Sequence, residues 1–458
     1  MPFKNEKANK FSHEKIINNK LLKEKLSNFK ITYDVSNNSD TLQDIKSKFN
    51  KNERESNKTI DFIFTVDSSF TEIPLDENIP SAKIGIVNFS SNIIDLSKKS
   101  EIYSNGFINP QKFNDIYNSQ ILTFICPTFN LVTINDEGMD TLQSIRKEIY
   151  DFFCNSKPFN SISLLQTLYN LIVEIDGSIK LKCTNSKCES NVNSENKERL
   201  IFNLKEIGIE PFVCPLCGKT MYLSDHLRLH EAVDLEFGHS NLLSRFSQIT
   251  EHLIALNVID TLMKYKSFAL LSKIAFIIDG PLAIYGEPAK IHKNILKYLH
   301  NVSKRVGEQL IYFGISKTGK LKDHFSLIER KLNIEPNSFL LVDDSYRFKY
   351  IQKAPENNKF FGQEVLFGQD FLFYSIDKKK FVITMLYPID NKSNDFGEIV
   401  FDKNQYGTLP VIFKLVNNIS IDIYEDAILP VALSHKYAAI SLNPGNKIIE
   451  IFAKQNIQ

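Results

Sequence analysis

Phe276 to Pro281 reads Phe-Ile-Ile-Asp-Gly-Pro, an apolar run suited to a buried strand that ends on a carboxylate and then meets two turn formers. Phe62 to Phe64 and Val66 are apolar in the same way, and Asp67 follows them ahead of Ser68 and Ser69. Each aspartate is therefore expected where a strand ends, at the edge of a sheet. Glu251 lies between the two in a long helical pattern. Two strand-borne aspartates with one helix-borne glutamate suit magnesium or manganese, which favour carboxylate and water ligands. Two such ions about 4 Å apart stabilise charge on the attacking and leaving oxygens of a phosphodiester together. The expected chemistry is metal-dependent phosphodiester hydrolysis.

Each of these residues also has a plainer reading. Taken singly, Asp67 and Asp279 are turn caps at strand ends and Glu251 is a helix-surface acid. The matching apolar strands ahead of both aspartates favour the chemical reading of the pair. Lys317 follows an apolar run in Gly-Ile-Ser-Lys-Thr-Gly. A turn there would return its ammonium over the strand ends, where it could hold a phosphate, and an exposed strand-end lysine without a role is the alternative. Asp343 and Asp344 repeat the strand-then-acid arrangement after Phe339 to Val342 and could add a ligand. His435, alone in the apolar run Pro430 to Ile440, reads as a core histidine.

Four of the six cysteines have metal-ligand spacing: Cys183-x4-Cys188, twenty-five residues, then Cys214-Pro-Leu-Cys217-Gly. This is the two-knuckle pattern of a zinc ribbon, in which four thiolates close a tetrahedral structural site with no open position for catalysis. His226 and His230 offer a Cys2His2 alternative, but the eight residues between Cys217 and His226 are few for a DNA-reading finger. Cys126 and Cys154 sit in apolar surroundings as reduced core residues, so the cysteine usage points to the cytoplasm.

The elements that must position these groups follow from periodicity. Apolar runs at 59–66, 82–89 and 121–124 predict neighbouring strands, and a helix is expected over 141–153. A helix leading into a short strand covers 160–182, before the cysteine-bearing insertion. Leu242, Leu243, Phe246, Ile249, Leu253, Leu256 and Ile259 have the spacing of a long amphipathic helix over 240–265, with Glu251 inside it. Strands at 274–278 and 310–315 alternate with helices at 288–306 and 321–332, the signature of an α/β layer with parallel pairing. Further strands are expected at 338–342, 371–376 and 380–387, the last two joined by a turn at 377–379. A closing helix over 427–441 carries His435.

With 458 residues, 43% of them hydrophobic, the chain can bury a large core. Lys and Arg total 55 against 54 Asp and Glu, so any attraction to nucleic acid must come from a local groove. The first thirty residues carry eight lysines and three glutamates. Ile16 to Leu26 has helical apolar spacing, read as an amphipathic helix packing on the body or a partner subunit, with a DNA-binding arm as the alternative. No secretory signal is expected, nor a membrane span, since Lys273 and Asp279 interrupt the most apolar stretch.

The chain resembles the NurA nuclease family, in its bacterial branch with an inserted zinc ribbon. The resemblance runs over about 59–453. It is carried by Thr65-Val-Asp-Ser-Ser, Leu223-Ser-Asp-His-Leu-Arg-Leu-His-Glu, Glu251-His-Leu, the segment from Ala275 through Asp279 to Ala289, Gly314-Ile-Ser-Lys-Thr-Gly, and Tyr424 through His435. It implies an α/β fold with an RNase H-like core, a mixed sheet flanked by helices. By motif it implies Asp67, Glu251 and Asp279 as manganese or magnesium ligands, His435 as a further ligand or phosphate contact, Tyr424 near the active site and Lys317 on the phosphate. It further implies a DNA nuclease that works as a ring-shaped homodimer with a HerA-type hexameric ATPase, in DNA end resection and repair or in antiphage defence. Ser68 stands where the family commonly has glycine, and Ser434 where it has a small apolar residue.

The organisation expected is an N-terminal helical, basic extension (1–58), the first part of the nuclease core (59–182), the zinc ribbon with Cys183, Cys188, Cys214 and Cys217 (183–225), and the second part of the core (226–458). A non-catalytic DNA-binding or assembly subunit is the main competing reading, and a small-molecule phosphatase a third.

Overall fold

The computed structural model describes residues 10–29, 39–75, 79, 81–98, 103–104, 107–108, 117–129, 131–133, 140–185, 187–192, 200–234, 238–354, 360–392, 395–421, 427–439, 451 and 453. A nine-stranded mixed sheet dominates them. Its strands are β1 (Asn50–Lys51), β2 (Phe62–Pro74), β3 (Lys83–Asp95), β4 (Tyr117–Phe129), β5 (Ile274–Asp279), β6 (Ile311–Ser316), β7 (Ser338–Leu341), β8 (Gly368–Tyr374) and β9 (Lys380–Leu386). Across the sheet the order is β1-β7-β8-β9-β6-β5-β2-β3-β4. Within it, β4-β3-β2-β5-β6 form an RNase H-like core: β3 runs antiparallel to β2 and β4, while β5 is parallel to both β2 and β6.

The central pair is apolar because helices cover both faces. In β5 every residue from Ile274 to Ile278 is buried, as expected of a parallel strand packed above and below. On one face Phe64 and Phe276 pack with α1 (Thr141–Asn155), α2 (Leu164–Ile175), α3 (Ser240–Lys264) and α4 (Ile291–Val306). On the other, Ile63, Ile277 and Phe313 pack with α6 (Leu409–Ile419) and α7 (Leu429–Ala438). The helix α5 (Lys320–Lys331) joins a third cluster over β7 and β8. Local signals set the helix starts: Asp140 and Ser163 accept bonds from the backbone N–H groups of Gln143 and Gln166.

Two expectations are corrected. Asp67 does not end its strand: β2 continues through Ser68 and Ser69 to Pro74, because β3 pairs with it rung by rung out to Pro74 opposite Lys83. Long-range antiparallel pairing overrides the local turn propensity of the serines. Near the N-terminus, the helical stretch expected over Ile16 to Leu26 is two helices, Lys10–Ile17 and Lys20–Ser27, the second capped by Asn19, whose Oδ1 accepts from Leu22 N–H at 3.3 Å. It does not pack on the body: no residue of Lys20–Ser27 is buried.

The cysteine-bearing segment is tied to the core by charge. Arg146 of α1 donates from Nε to Asp225 Oδ1 at 2.9 Å and from Nη2 to Oδ2 at 2.5 Å, and the two side chains are 1% and 4% exposed. Asp225 Oδ2 also accepts from Tyr222 N–H at 2.8 Å, so both carboxylate oxygens are satisfied.

Candidate metal centre

Register places the two aspartates side by side. The parallel pairing of β2 with β5 sets Val66 opposite Ile278, so Asp67 and Asp279 follow on the next rung and project to the same face. There β5 stops, while β2 runs on. Gly280, with φ of 112°, turns the chain, and its N–H donates to Ile315 O at 2.9 Å. A Cβ on Gly314 would lie 2.2 Å from Gly280 O, so β6 can approach this turn only with glycine there. That close approach carries Lys317, just past β6, to the carboxylate: Lys317 Nζ donates to Asp279 Oδ2 at 2.6 Å.

The third component arrives from the C-terminal helix. Ser434 is fully buried under α7, its Oγ 2.5 Å from Thr65 Oγ1 on β2 and accepting from Asn92 Nδ2 on β3. Ser434 thus serves where an apolar residue could not, bonding two polar groups of the sheet beneath the helix. The next residue, His435, faces Asp67: its Nδ1 is 2.8 Å from Asp67 Oδ2. The core reading of His435 is corrected, for its side chain is 65% exposed. One ligand atom from each of Asp67, Asp279 and His435 lies within 4.8 Å of the others.

Glu251 is not one of that trio. It stands on the opposite face of β2, where α3 packs, and accepts a hydrogen bond from Ser68 Oγ. The Ser68 N–H in turn donates to Asp67 Oδ1 at 2.8 Å. Ser68 therefore joins the two acids, a role that its place in the sequence did not signal. Glu251 and Asp279 line a common cleft with Ser68 and Ile278. Burial, reinforced by the nearby charge of Asp67, holds the Glu251 carboxyl well above the usual range. Burial also raises Asp279, against the opposing pull of Lys317. Carboxylates from two strands, with a histidine nitrogen beside them at the edge of a cleft, fit a hard divalent cation.

Asp343 and Asp344 do not join the site. They follow β7, which β8, β9 and β6 separate from β5. Asp343 caps the helix Asp344–Tyr350 through a 2.6 Å bond from Tyr346 N–H, and Asp344 accepts from Phe361 N–H at 3.1 Å. Tyr424 lies outside the described residues.

Cys183, Cys188, Cys214 and Cys217 converge, with Cys183 and Cys217 sulfurs 3.5 Å apart and Cys188 and Cys214 sulfurs 3.8 Å apart. Tetrahedral thiolates on zinc, with bonds near 2.3 Å, stand about 3.8 Å from one another. The group is compatible with structural zinc. His226 and His230 are not part of it: His230 lies beside Asp225, 3.8 Å away.

No protein-family model matches this chain, and no curated protein matches it in sequence. Among solved structures, it is similar to the NurA nuclease from Sulfolobus solfataricus. That likeness has 12% identity and a TM-score of 0.36, and it covers 98% of this chain and 97% of the other. It is also similar to a second NurA structure, at 11% identity and a TM-score of 0.30, over 98% and 99% of the two chains. Among the described residues, no helix is long and apolar enough to cross a membrane.

Proposed function

We propose that this protein is a divalent-metal-dependent DNA nuclease. The observation that carries the reading is the convergence of Asp67, Asp279 and His435 within 4.8 Å, at the point where β5 ends, with Lys317 beside Asp279. Manganese or magnesium would be held by the two aspartates and the imidazole, with Glu251 bordering the same cleft as a further ligand. A bound ion would neutralise charge on the phosphoryl oxygens and acidify water for attack on phosphorus.

The chain's own groups have separable tasks in this reading. Lys317, whose Nζ stands at Asp279 Oδ2, would be within reach of a phosphate bound at the centre and could bond a non-bridging oxygen. Ser68 fixes the rotamers of both Asp67 and Glu251 through its N–H and hydroxyl. Ser434 seats α7 so that His435 meets Asp67. Zinc on the four cysteines would fold the segment that Arg146 fastens to the core.

The motif resemblance extends the reading to a homodimer acting on DNA beside a HerA-type hexameric ATPase, in end resection or antiphage defence. The test is cleavage of end-labelled single- and double-stranded DNA with manganese, magnesium or chelator, with Asp279→Ala beside wild type. Manganese-dependent cleavage that the folded variant lacks is expected. Cleavage retained by the variant would refute the assignment. Absence of cleavage by wild type, even with the ATPase and ATP added, would favour a binding subunit.

A further inference from the structure

The unequal lengths of β2 and β5 leave a cleft of about 380 Å³ beyond the acids. Its floor is the outer half of β2, where Ser68 and Phe70 project to the same face as Glu251 approaches. Its wall is α3, which presents Ser244, Ser247 and Glu251 at spacings of three and four, one above another. Its inner end is Asp279. Hydroxyls and one aromatic ring thus lead directly to the candidate metal ligands.

Two of these side chains are in unusual states for a folded protein. Ser247 is only 6% exposed, yet its Oγ has no hydrogen-bond partner among the described residues. Buried hydroxyls without partners are uncommon and signal a ligand or other group that completes them. Phe70 is 40% exposed, although Val87, its cross-strand neighbour, and Phe124 beyond it are buried core. An apolar ring standing in a polar cleft, with no charge to pair, suits the face of a nucleobase.

We infer that this cleft is a subsite for an unpaired nucleotide adjoining the scissile phosphate: Phe70 stacks on the base and Ser247 donates its hydroxyl to the backbone phosphate. The inference rests on the nuclease reading and sharpens it, because inside a duplex both faces of a base are covered by its neighbours, and only an unpaired or terminal base can offer one to Phe70. The substrate at the moment of cleavage is then single-stranded DNA or a frayed end.

The test compares wild type with Phe70→Ala, Phe70→Tyr and Ser247→Ala, using a single-stranded oligonucleotide with manganese. Phe70→Ala is expected to raise KM on the order of tenfold, a larger factor than any fall in kcat, while Phe70→Tyr restores it, as a stacking contact requires. Ser247→Ala is expected to raise KM by a few-fold. In chelator, an oligonucleotide carrying 2-aminopurine should lose fluorescence on binding wild type and keep it with Phe70→Ala. Active wild type with an unchanged KM in Phe70→Ala, or quenching that survives the substitution, overturns the subsite and leaves the nuclease reading standing. Cleavage absent from wild type counts against the nuclease reading, and the quenching experiment then decides the subsite by itself.

Discussion

The raised carboxyls at the candidate centre make the stability of the protein depend on pH and on metal in a defined direction. Glu251 lies well above its ordinary value of 4.5, and Asp279 is raised as well, both first through burial. A group whose pKa is higher folded than unfolded contributes stability that is complete below the unfolded value and is lost as pH rises through the folded one. Ion-free protein should therefore lose stability as pH climbs from about 4.5 through the raised value of Glu251. Manganese should reverse the trend, because its ligands must be ionised and it displaces their protons.

The size of the effect follows from chain length and linkage. At about 2.1 cal/mol/K per residue, unfolding 458 residues carries an entropy near 1 kcal/mol/K, so about 1 kcal/mol moves Tm by about 1 °C. Manganese at about a hundred times its Kd stabilises by about 2.7 kcal/mol, a shift of about 3 °C. If one proton is displaced, affinity falls tenfold for each pH unit lost while that proton is held. Two units lower, the same manganese concentration equals Kd and stabilises by only about 0.4 kcal/mol, under about 0.5 °C. Differential scanning fluorimetry at fixed manganese, with trace zinc throughout, reads this directly. A manganese shift that does not shrink over those two pH units would refute the reasoning, as would a full shift in Glu251→Gln and Asp279→Asn.

Two further outcomes follow from side chains already placed. Arg146→Met leaves Asp225 buried without its partner and should cost about 3–5 kcal/mol in urea unfolding, most of it recovered in the double variant Arg146→Met/Asp225→Leu; a cost below about 1 kcal/mol would mean the pair is not fastening the insertion. Lys317→Met should lower kcat for DNA cleavage by about a hundredfold, as loss of a group that stabilises transition-state charge does. The same change removes a cation bonded to Asp279 at 2.6 Å, so half-saturation by manganese should move to lower concentration. Parallel loss of kcat and manganese affinity would instead mark Lys317 as structural.

Much of this protein was legible along the chain wherever the determining physics is local. The run Ile274 to Asp279 is apolar throughout and then broken by Gly280 and Pro281, so its strand and terminal acid follow from the residues themselves. The cysteine spacing foretold the four-thiol cluster, because paired thiols at short spacing are a metal-ligand signature in themselves, and the apolar spacing of α3 foretold its full length, because that pattern repeats within one element. Tertiary structure alone decided the rest. Asp67 lies in mid-strand because β3, twenty residues on, continues to pair with β2, and the serines could not announce a partner so distant. The bonds of Ser68 to Glu251, Ser434 to Thr65, His435 to Asp67 and Arg146 to Asp225 join residues from 79 to 369 positions apart. Periodicity reports which face of an element is buried. It carries no record of which buried face meets which, and that choice is what brings an imidazole, two aspartates and an ammonium together, with Glu251 across β2 from them.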